Sequence, residues 1–170
     1  MNKMERIKID WFFGIPGSGK THIARQLSQM TGIPMYDGDD FHTNDDRRAV
    51  AQGIFTLERR HAQLKRISTK LRTAGTPHAL VTHPLPDRES RALVRRLSTG
   101  DVRLIHVTAP LDLIKERLRA RKDHHFGSDL LDAWISKHWQ EPCGENCLVI
   151  ENGLDNQLLE DQLRKFGPSD

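Results

Sequence analysis

The 170-residue sequence is short of several things, and each shortage removes a class of protein. It has two cysteines, Cys143 and Cys147, both in EPCGENC, with no second metal-type pair beside them. Two reduced thiols are expected there, not a zinc site or a disulfide framework. No apolar run approaches the roughly 20 residues a membrane-spanning helix needs, and mean hydropathy is −0.61. The opening MNKMERIKID mixes charge with apolar side chains and shows no signal-peptide core, so a cytoplasmic location is expected. Charge of one sign is scarce as well, since 26 Lys and Arg against 23 Asp and Glu leave +3. So small an excess suits an anionic small ligand and offers no concentrated patch for nucleic acid. Repeats, low-complexity tracts and linkers are missing too. One domain over residues 1–170 is expected, long enough to bury a core.

What the chain does have is alternation. Ile7 to Phe13 reads as a strand, rich in β-branched and aromatic residues. Ile23, Leu27 and Met30 then recur at helical spacing up to Gly32, a C-terminal cap. GIPMYD is a short second strand, and Leu57, His61, Leu64, Ile67 and Leu71 share one face of a helix closed by AGTP. His78 to His83 is a third strand, Asp87 to Leu97 a helix, and Val102 to Ala109 a fourth strand. PLDLIKERLRAR opens on a favoured first helical proline and turns Leu111, Ile114 and Leu118 inward. A His-rich polar stretch leads to a helix from Ser128 through Trp139, a fifth strand CLVIEN and a last helix after Asp155. Strands alternating with helices give βαβ units and a parallel sheet, hence an α/β sandwich.

Between the first strand and the first helix, Gly14 to Thr21 spells GIPGSGKT. This is a full match to the phosphate-binding pattern G-x-x-x-x-G-K followed by Ser or Thr, in its proper strand-to-helix setting. Gly14, Pro16, Gly17, Ser18 and Gly19 form a loop whose backbone N–H groups turn inward around a triphosphate. The following helix aims its N-terminal dipole at the same anion. Lys20 reaches the β- and γ-phosphates, and the Thr21 hydroxyl holds Mg²⁺. ATP and Mg²⁺ are the expected cofactors. A glycine-rich turn with a chance lysine is the plain alternative, and the complete pattern in context disfavours it.

The acceptor side is read in YDGDDFHTNDDRR, Tyr36 to Arg48, which follows the second strand where a ligand crevice is expected. Asp37 and Asp39 stand two apart and on an extended stretch project to one side. One carboxylate orients Mg²⁺, a role assigned to Asp37, while Asp39 accepts a proton from an attacking hydroxyl. Asp40, Asp45 and Asp46 are expected on the surface. At the end of the helix-like stretch PLDLIKERLRAR crowd Arg117, Arg119, Arg121 and Lys122, with Arg117 and Arg121 one turn apart. Guanidinium groups closing over a transferred phosphoryl stabilise its charge and exclude water. Arg117 is thus expected at the nucleotide and Arg121 at the reaction, within a lid over about residues 117–130. His124 and His125 read as exposed loop histidines, and Trp134 and Trp139 as packing residues.

With the phosphate loop, the segments YDGDDFH, RRAVAQG and RLRARKDHHF…LLDAWISKHWQEP fall in an order that resembles the gluconate kinases. The resemblance covers about Phe13 to Gly153. It implies a shikimate- and nucleotide-kinase-like fold of five parallel strands in the order 2-3-1-4-5. It implies an acceptor region over about residues 37–75, with Asp39 near the accepting hydroxyl and His42 and Arg47 lining the pocket. Two segments depart from the family. GIFTLERRH stands for G-x-P-L-x-D-x-D-R, and THPLPDR stands for a C-S-A-L-K stretch, with Pro86 in the place of the lysine. HPLPDRESRAL is in turn similar to adenylylsulfate kinases. The expected partners are ATP and a hydroxyl-bearing, anionic small molecule, in a monomer or homodimer. Arg47, Arg48, Arg59, Arg60 and Arg88 are the cations at hand for it. Gluconate or a related sugar acid leads, and adenylylsulfate or a nucleoside-type acceptor stands as the alternative. A nucleotide-binding regulatory module without transfer is a further alternative.

Overall fold

A computed structural model of the chain describes residues 6–121 and 126–166. Its centre is strand β1 (Lys8–Phe13), where Trp11, Phe12 and Phe13 are each 1% exposed or less. With β2 (Met35–Asp37), β3 (His78–Thr82), β4 (Asp101–Thr108) and β5 (Leu148–Glu151) it forms one sheet in the order β2-β3-β1-β4-β5. Every pairing is parallel. This is the α/β sandwich and the strand order expected from the sequence.

A parallel sheet is covered on both faces, and alternation along β1 divides its side chains between them. Ile9, Trp11 and Phe13 pack against Leu64, Ile67 and Leu71 of α3 (Leu57–Thr73) and Leu93 and Val94 of α4 (Arg88–Leu97). Phe12 faces the other way, onto Ile23, Ala24 and Leu27 of α1 (Lys20–Thr31) and Leu159 and Leu163 of α7 (Asn156–Arg164). Burying one such side chain fully contributes about 1.5–3 kcal/mol. A third, smaller cluster joins Ile114 and Leu118 of α5 (Leu111–Ala120) to Leu131 at the start of α6 (Leu131–His138), with Ile15 of the phosphate loop packed against it.

Some expectations need correction. Met30 is 58% exposed and Leu111 43%, so neither is core. Each lies in a terminal turn of its helix, and periodicity marks a stripe without saying where the covering layer stops. Helix α2 (Asn44–Ala51) was not foreseen; Thr43 and Asp46 cap it reciprocally, each side chain accepting the other's backbone N–H at 3.0 Å. Asp46 is accordingly 4% exposed and no surface residue. Cys143 is exposed, Cys147 half-buried, and both are free thiols. Among the described residues, no helix is long and apolar enough to cross a membrane.

Because the strands run parallel, their carboxyl ends share one edge of the sheet. The chain leaves β1 toward β2 and β3 on one side and later supplies β4 and β5 on the other. The crevice beside the end of β1 is therefore the switch point where ligands of open α/β sheets bind.

Candidate active site

The loop from Gly14 to Thr21 occupies that crevice. Gly19 caps α1 at φ 95, and Gly17 has φ 86 with Ile114 Cγ2 only 2.8 Å from where a Cβ would stand. A side chain at either position is strained by backbone and by space alike. Lys20 opens α1 and folds its Nζ back to the carbonyls of Gly14 and Ile15, both at 3.0 Å. Burial pushes its pKa down to about 8; Asp39 opposes the shift, Arg121 adds to it and Asp37 opposes it. Lys20 thus stands in the fields of both aspartates and of the arginine beyond α5.

The next residue, Thr21, donates its hydroxyl to Asp37 Oδ2 at 3.3 Å. Asp37 ends β2, and its Oδ1 accepts the Asp39 N–H at 3.0 Å, capping a one-turn 3-10 helix over Gly38–Phe41. The extended geometry expected for Asp37 and Asp39 therefore does not hold, because the carboxylate of the first makes the second turn away from strand geometry. The turn still carries both carboxylates to the phosphate-loop side. A hydroxyl and a carboxylate already in contact are hard oxygen donors of the kind Mg²⁺ takes. Among the described residues no cluster of three or more His, Cys, Asp or Glu forms a metal cage. That donor set fits an ion whose other ligands are phosphate oxygens and water, as in phosphoryl-transfer sites.

Around this centre, His42 is half-buried and edge-on to Phe55 at 5.2 Å, with Nδ1 3.9 Å from Asp39 Oδ1. Burial holds its pKa below the usual histidine value, against the pull of Asp39. Arg47 lies exposed on α2. Of the other arginines expected near an acceptor, each is already engaged. Arg48 pairs with Asp45, Arg59 with Asp46 at 3.3 Å, and Arg60 with Asp87 at 2.7 Å. Arg88 donates to Cys143 O at 2.8 Å and lies 3.6 Å from Glu145. Among the described residues Arg47 alone of this set has no ion-pair partner.

On the lid side, Arg117 bonds Ser18 O at 3.4 Å and Asn152 O at 2.9 Å, bracing the phosphate loop from outside. Arg121 has left the helix, with an extended backbone at the C-cap of α5, so the two arginines do not share a helical face. Lys122, His124 and His125 fall outside the described residues. Trp139 packs on the core cluster, and Trp134 meets Phe126 edge-on at 6.3 Å.

Several residues at this edge went unnoticed in the sequence. Asn152, 5% exposed, follows β5 and donates to Ser18 O at 2.8 Å, so it shares with Arg117 the support of the loop. Its signal was its place just past a strand's carboxyl end. His83 and Gln63, both buried, lie beneath the aspartate turn. His83 carried the same positional signal, and Gln63 carried none.

A family described as an AAA domain matches residues 10–138, which take in the phosphate loop, the aspartate turn and α6. The chain belongs to this AAA-domain family. Among its relatives is a probable gluconokinase of Xenopus tropicalis, 24% identical over 168 residues and aligned over 88% of each chain. A probable adenylyl-sulfate kinase of Aeropyrum pernix is 32% identical over 97 residues, 55% of this chain and 53% of that one. A sugar kinase from Janibacter sp. HTCC2649 superposes with a TM-score of 0.76 at 25% identity, covering 93% of both chains. This AAA-domain member thus sits among kinases with two kinds of acceptor, as its mixed motifs implied.

Proposed function

We propose that this chain transfers the γ-phosphoryl group of ATP to a hydroxyl of a small anionic acceptor, a sugar acid such as gluconate. The carrying observation is Lys20, opening α1 inside the phosphate loop and lying in the fields of Asp39 and Asp37. A donor loop facing two carboxylates has the parts of phosphoryl transfer, in which catalysis is positioning plus stabilisation of charge. Gly14, Pro16, Gly17, Ser18 and Gly19 would cradle the triphosphate, with Lys20 swinging from its carbonyl partners to the β- and γ-oxygens. Thr21 and Asp37 would hold Mg²⁺, which when bound neutralises charge on those oxygens. Asp39 takes the proton of the acceptor hydroxyl as its oxygen bonds to phosphorus and the bond to ADP breaks. Arg121 offsets charge on the group in transit, and Arg117 keeps the loop in shape.

The acceptor class follows from the charge inventory. Arg48, Arg59, Arg60 and Arg88 are held by carboxylates or carbonyls, which leaves Arg47 beside His42 as the cation to read an anionic group. One arginine in place of the lysine that Pro86 replaces supports gluconate turnover weaker than the overall resemblance implies. The similarity to an adenylyl-sulfate kinase makes adenylylsulfate the second candidate acceptor.

The test is ATP-dependent phosphorylation of gluconate, other sugar acids, adenylylsulfate and neutral polyols by the purified chain. A sugar acid is expected to be phosphorylated and the polyols hardly at all. Arg47→Ala is expected to raise the acceptor KM about 10–100-fold with kcat little changed, as loss of a charged hydrogen bond does. Preference for adenylylsulfate, or nucleotide binding without transfer to any of these, would overturn the sugar-acid reading.

A further inference from the structure

Beneath the aspartate turn runs a buried line of hydrogen bonds that no part of the transfer chemistry above uses. His83, 4% exposed, lies just past β3. Its Nδ1 accepts the Leu85 N–H at 3.0 Å, so the ring proton stands on Nε2. Nε2 then donates to Gln63 Oε1 at 3.1 Å. Gln63, 1% exposed on α3, turns its amide nitrogen to Gly38 O and donates at 2.7 Å. Gly38 is the residue between Asp37 and Asp39. It has no room for a side chain, since a Cβ there would lie 2.5 Å from Thr82 O and 3.1 Å from His83 Cδ2.

The upstream end of this line is also anchored. Among the described residues Leu85 is the one non-glycine with positive φ, 38, a conformation that surrounding bonds must hold. Its N–H goes to His83, and its carbonyl accepts from Arg91 Nη1 at 2.9 Å. Arg91 is fully buried and itself fixed by Glu145 at 2.9 and 2.8 Å. Neighbouring Pro84 accepts the Gly14 N–H at 3.3 Å. The β3–α4 loop therefore touches the phosphate loop directly and the aspartate turn through His83 and Gln63.

We propose that Gln63 and His83 are positioning residues, a two-membered strut that sets Asp37 and Asp39 at a fixed distance from the phosphate loop. The proposal rests on the kinase reading of those aspartates. Both strut residues are buried beneath the turn and act on it through the Gly38 carbonyl. The direction of every bond is fixed, because each group offers a donor to an acceptor in only one arrangement. Burial, reinforced by the charges of Arg60, His42 and Lys20, keeps His83 well below its usual pKa and hence neutral. A protonated ring would lose the Nδ1 acceptor that Leu85 needs.

The experiment compares wild type with Gln63→Met, His83→Leu and His83→Gln, using gluconate and adenylylsulfate as acceptors. Gln63→Met keeps volume and removes both bonds. It is expected to lower kcat about 10²-fold, the effect of a reacting group misplaced by about an ångström, while ATP affinity holds. Amide exchange over residues 37–42, where the Asp39 and His42 N–H groups are bonded, is expected to rise about tenfold or more. His83→Gln retains an N–H donor at the ε position and is expected to recover most of the activity that His83→Leu loses. Wild-type kcat and exchange in Gln63→Met, or equal behaviour of Gln and Leu at position 83, would overturn the strut. Should Gln63→Met not fold, Gln63→Glu takes its place, since it keeps the bond to His83 and sets an oxygen against Gly38 O. Failure of wild type to phosphorylate either acceptor counts against the kinase reading, and the exchange measurement then still decides the strut.

Discussion

A lysine that titrates near neutrality makes phosphate binding depend on pH in a foreseeable direction. Lys20 is pushed down to about 8 by burial, with Arg121 lowering it further against Asp39 and Asp37. Triphosphate prefers the charged amine, so binding takes up a proton wherever the free site is partly neutral. ATP affinity is expected to be flat below about pH 7 and to weaken as pH rises through about 8, where the free lysine loses its proton. Calorimetric titration across pH 6.5–9.5, in buffers of different ionisation enthalpy, reads both the affinity and the proton uptake. Lys20→Met should bind weakly at every pH and lose this dependence. A wild-type affinity unchanged to pH 9.5 would show that the amine is already charged throughout. The same residue scale explains why Arg47 differs from its neighbours: it stands apart from the carboxylates that hold Arg48, Arg59 and Arg60.

At the scale of elements, β1 carries chemistry at both ends. Its carboxyl end feeds the phosphate loop, and near its start Asp10, fully buried, meets Arg103 of β4 through two bonds of 2.6 Å and His78 of β3 at 2.9 Å. The bonds to Asp10 hold the Arg103 pKa above its ordinary value, with burial opposing them. A buried carboxylate stripped of its partner is costly, whereas removing both charges together is nearly neutral. Arg103→Leu leaves Asp10 with His78 alone and is thus expected to destabilise the fold by up to about 3–5 kcal/mol, and Asp10→Leu with Arg103→Leu to recover much of that loss. Denaturant unfolding of both variants checks it, and a double variant as unstable as the single one would refute the account. Elements were also where the sequence was most legible. The strand-loop-helix around Gly14–Thr21 declared itself because phosphate binding fixes residue types at fixed spacing. Helix α2 did not, because Asp45 and Asp46 read as solvated charge, although Thr43 and Asp46 formed a cap signature in plain view. Met30 and Leu111 misled for another reason: a helical stripe continues past the sheet that buries it.

Across the whole molecule, the contacts that shape the site join residues far apart in the chain, and a single sequence is silent about them. Asn152 bonds Ser18 across 134 positions, Arg60 meets Asp87 across 27, and His83 meets Gln63 across 20. Motifs therefore located the site while its support stayed hidden. Two such long-range clusters also set how the molecule responds to acid. Asp46 joins α2 to α3 through Arg59 at 3.3 Å and Arg66 at 2.6 Å. Burial pushes its pKa up, but bonds from Thr43 and Arg59 and the charge of Arg66 outweigh burial and hold it below the ordinary value. Glu145 ties the segment after α6 to α4, and its bond from Arg91 holds it low against burial. Both carboxyls have depressed folded-state pKa values. Their contribution is therefore fully present above the unfolded values, 3.8 for Asp and 4.5 for Glu, and lost as pH falls through the lower folded ones. Stability is expected to begin to fall below about pH 6.5, where the unfolded chain protonates histidines that the fold keeps neutral, His42 and His83 among them. It falls further from about pH 4.5 downward as these two carboxyls lose their charge. Denaturant unfolding at successive pH values measures it, beside Asp46→Asn and Glu145→Gln, which should start less stable and fall less steeply. Parallel acid slopes in wild type and both variants would place the acid sensitivity elsewhere. The expected slopes instead tie it to the pairs that join α2 to α3 and α4 to the segment preceding β5.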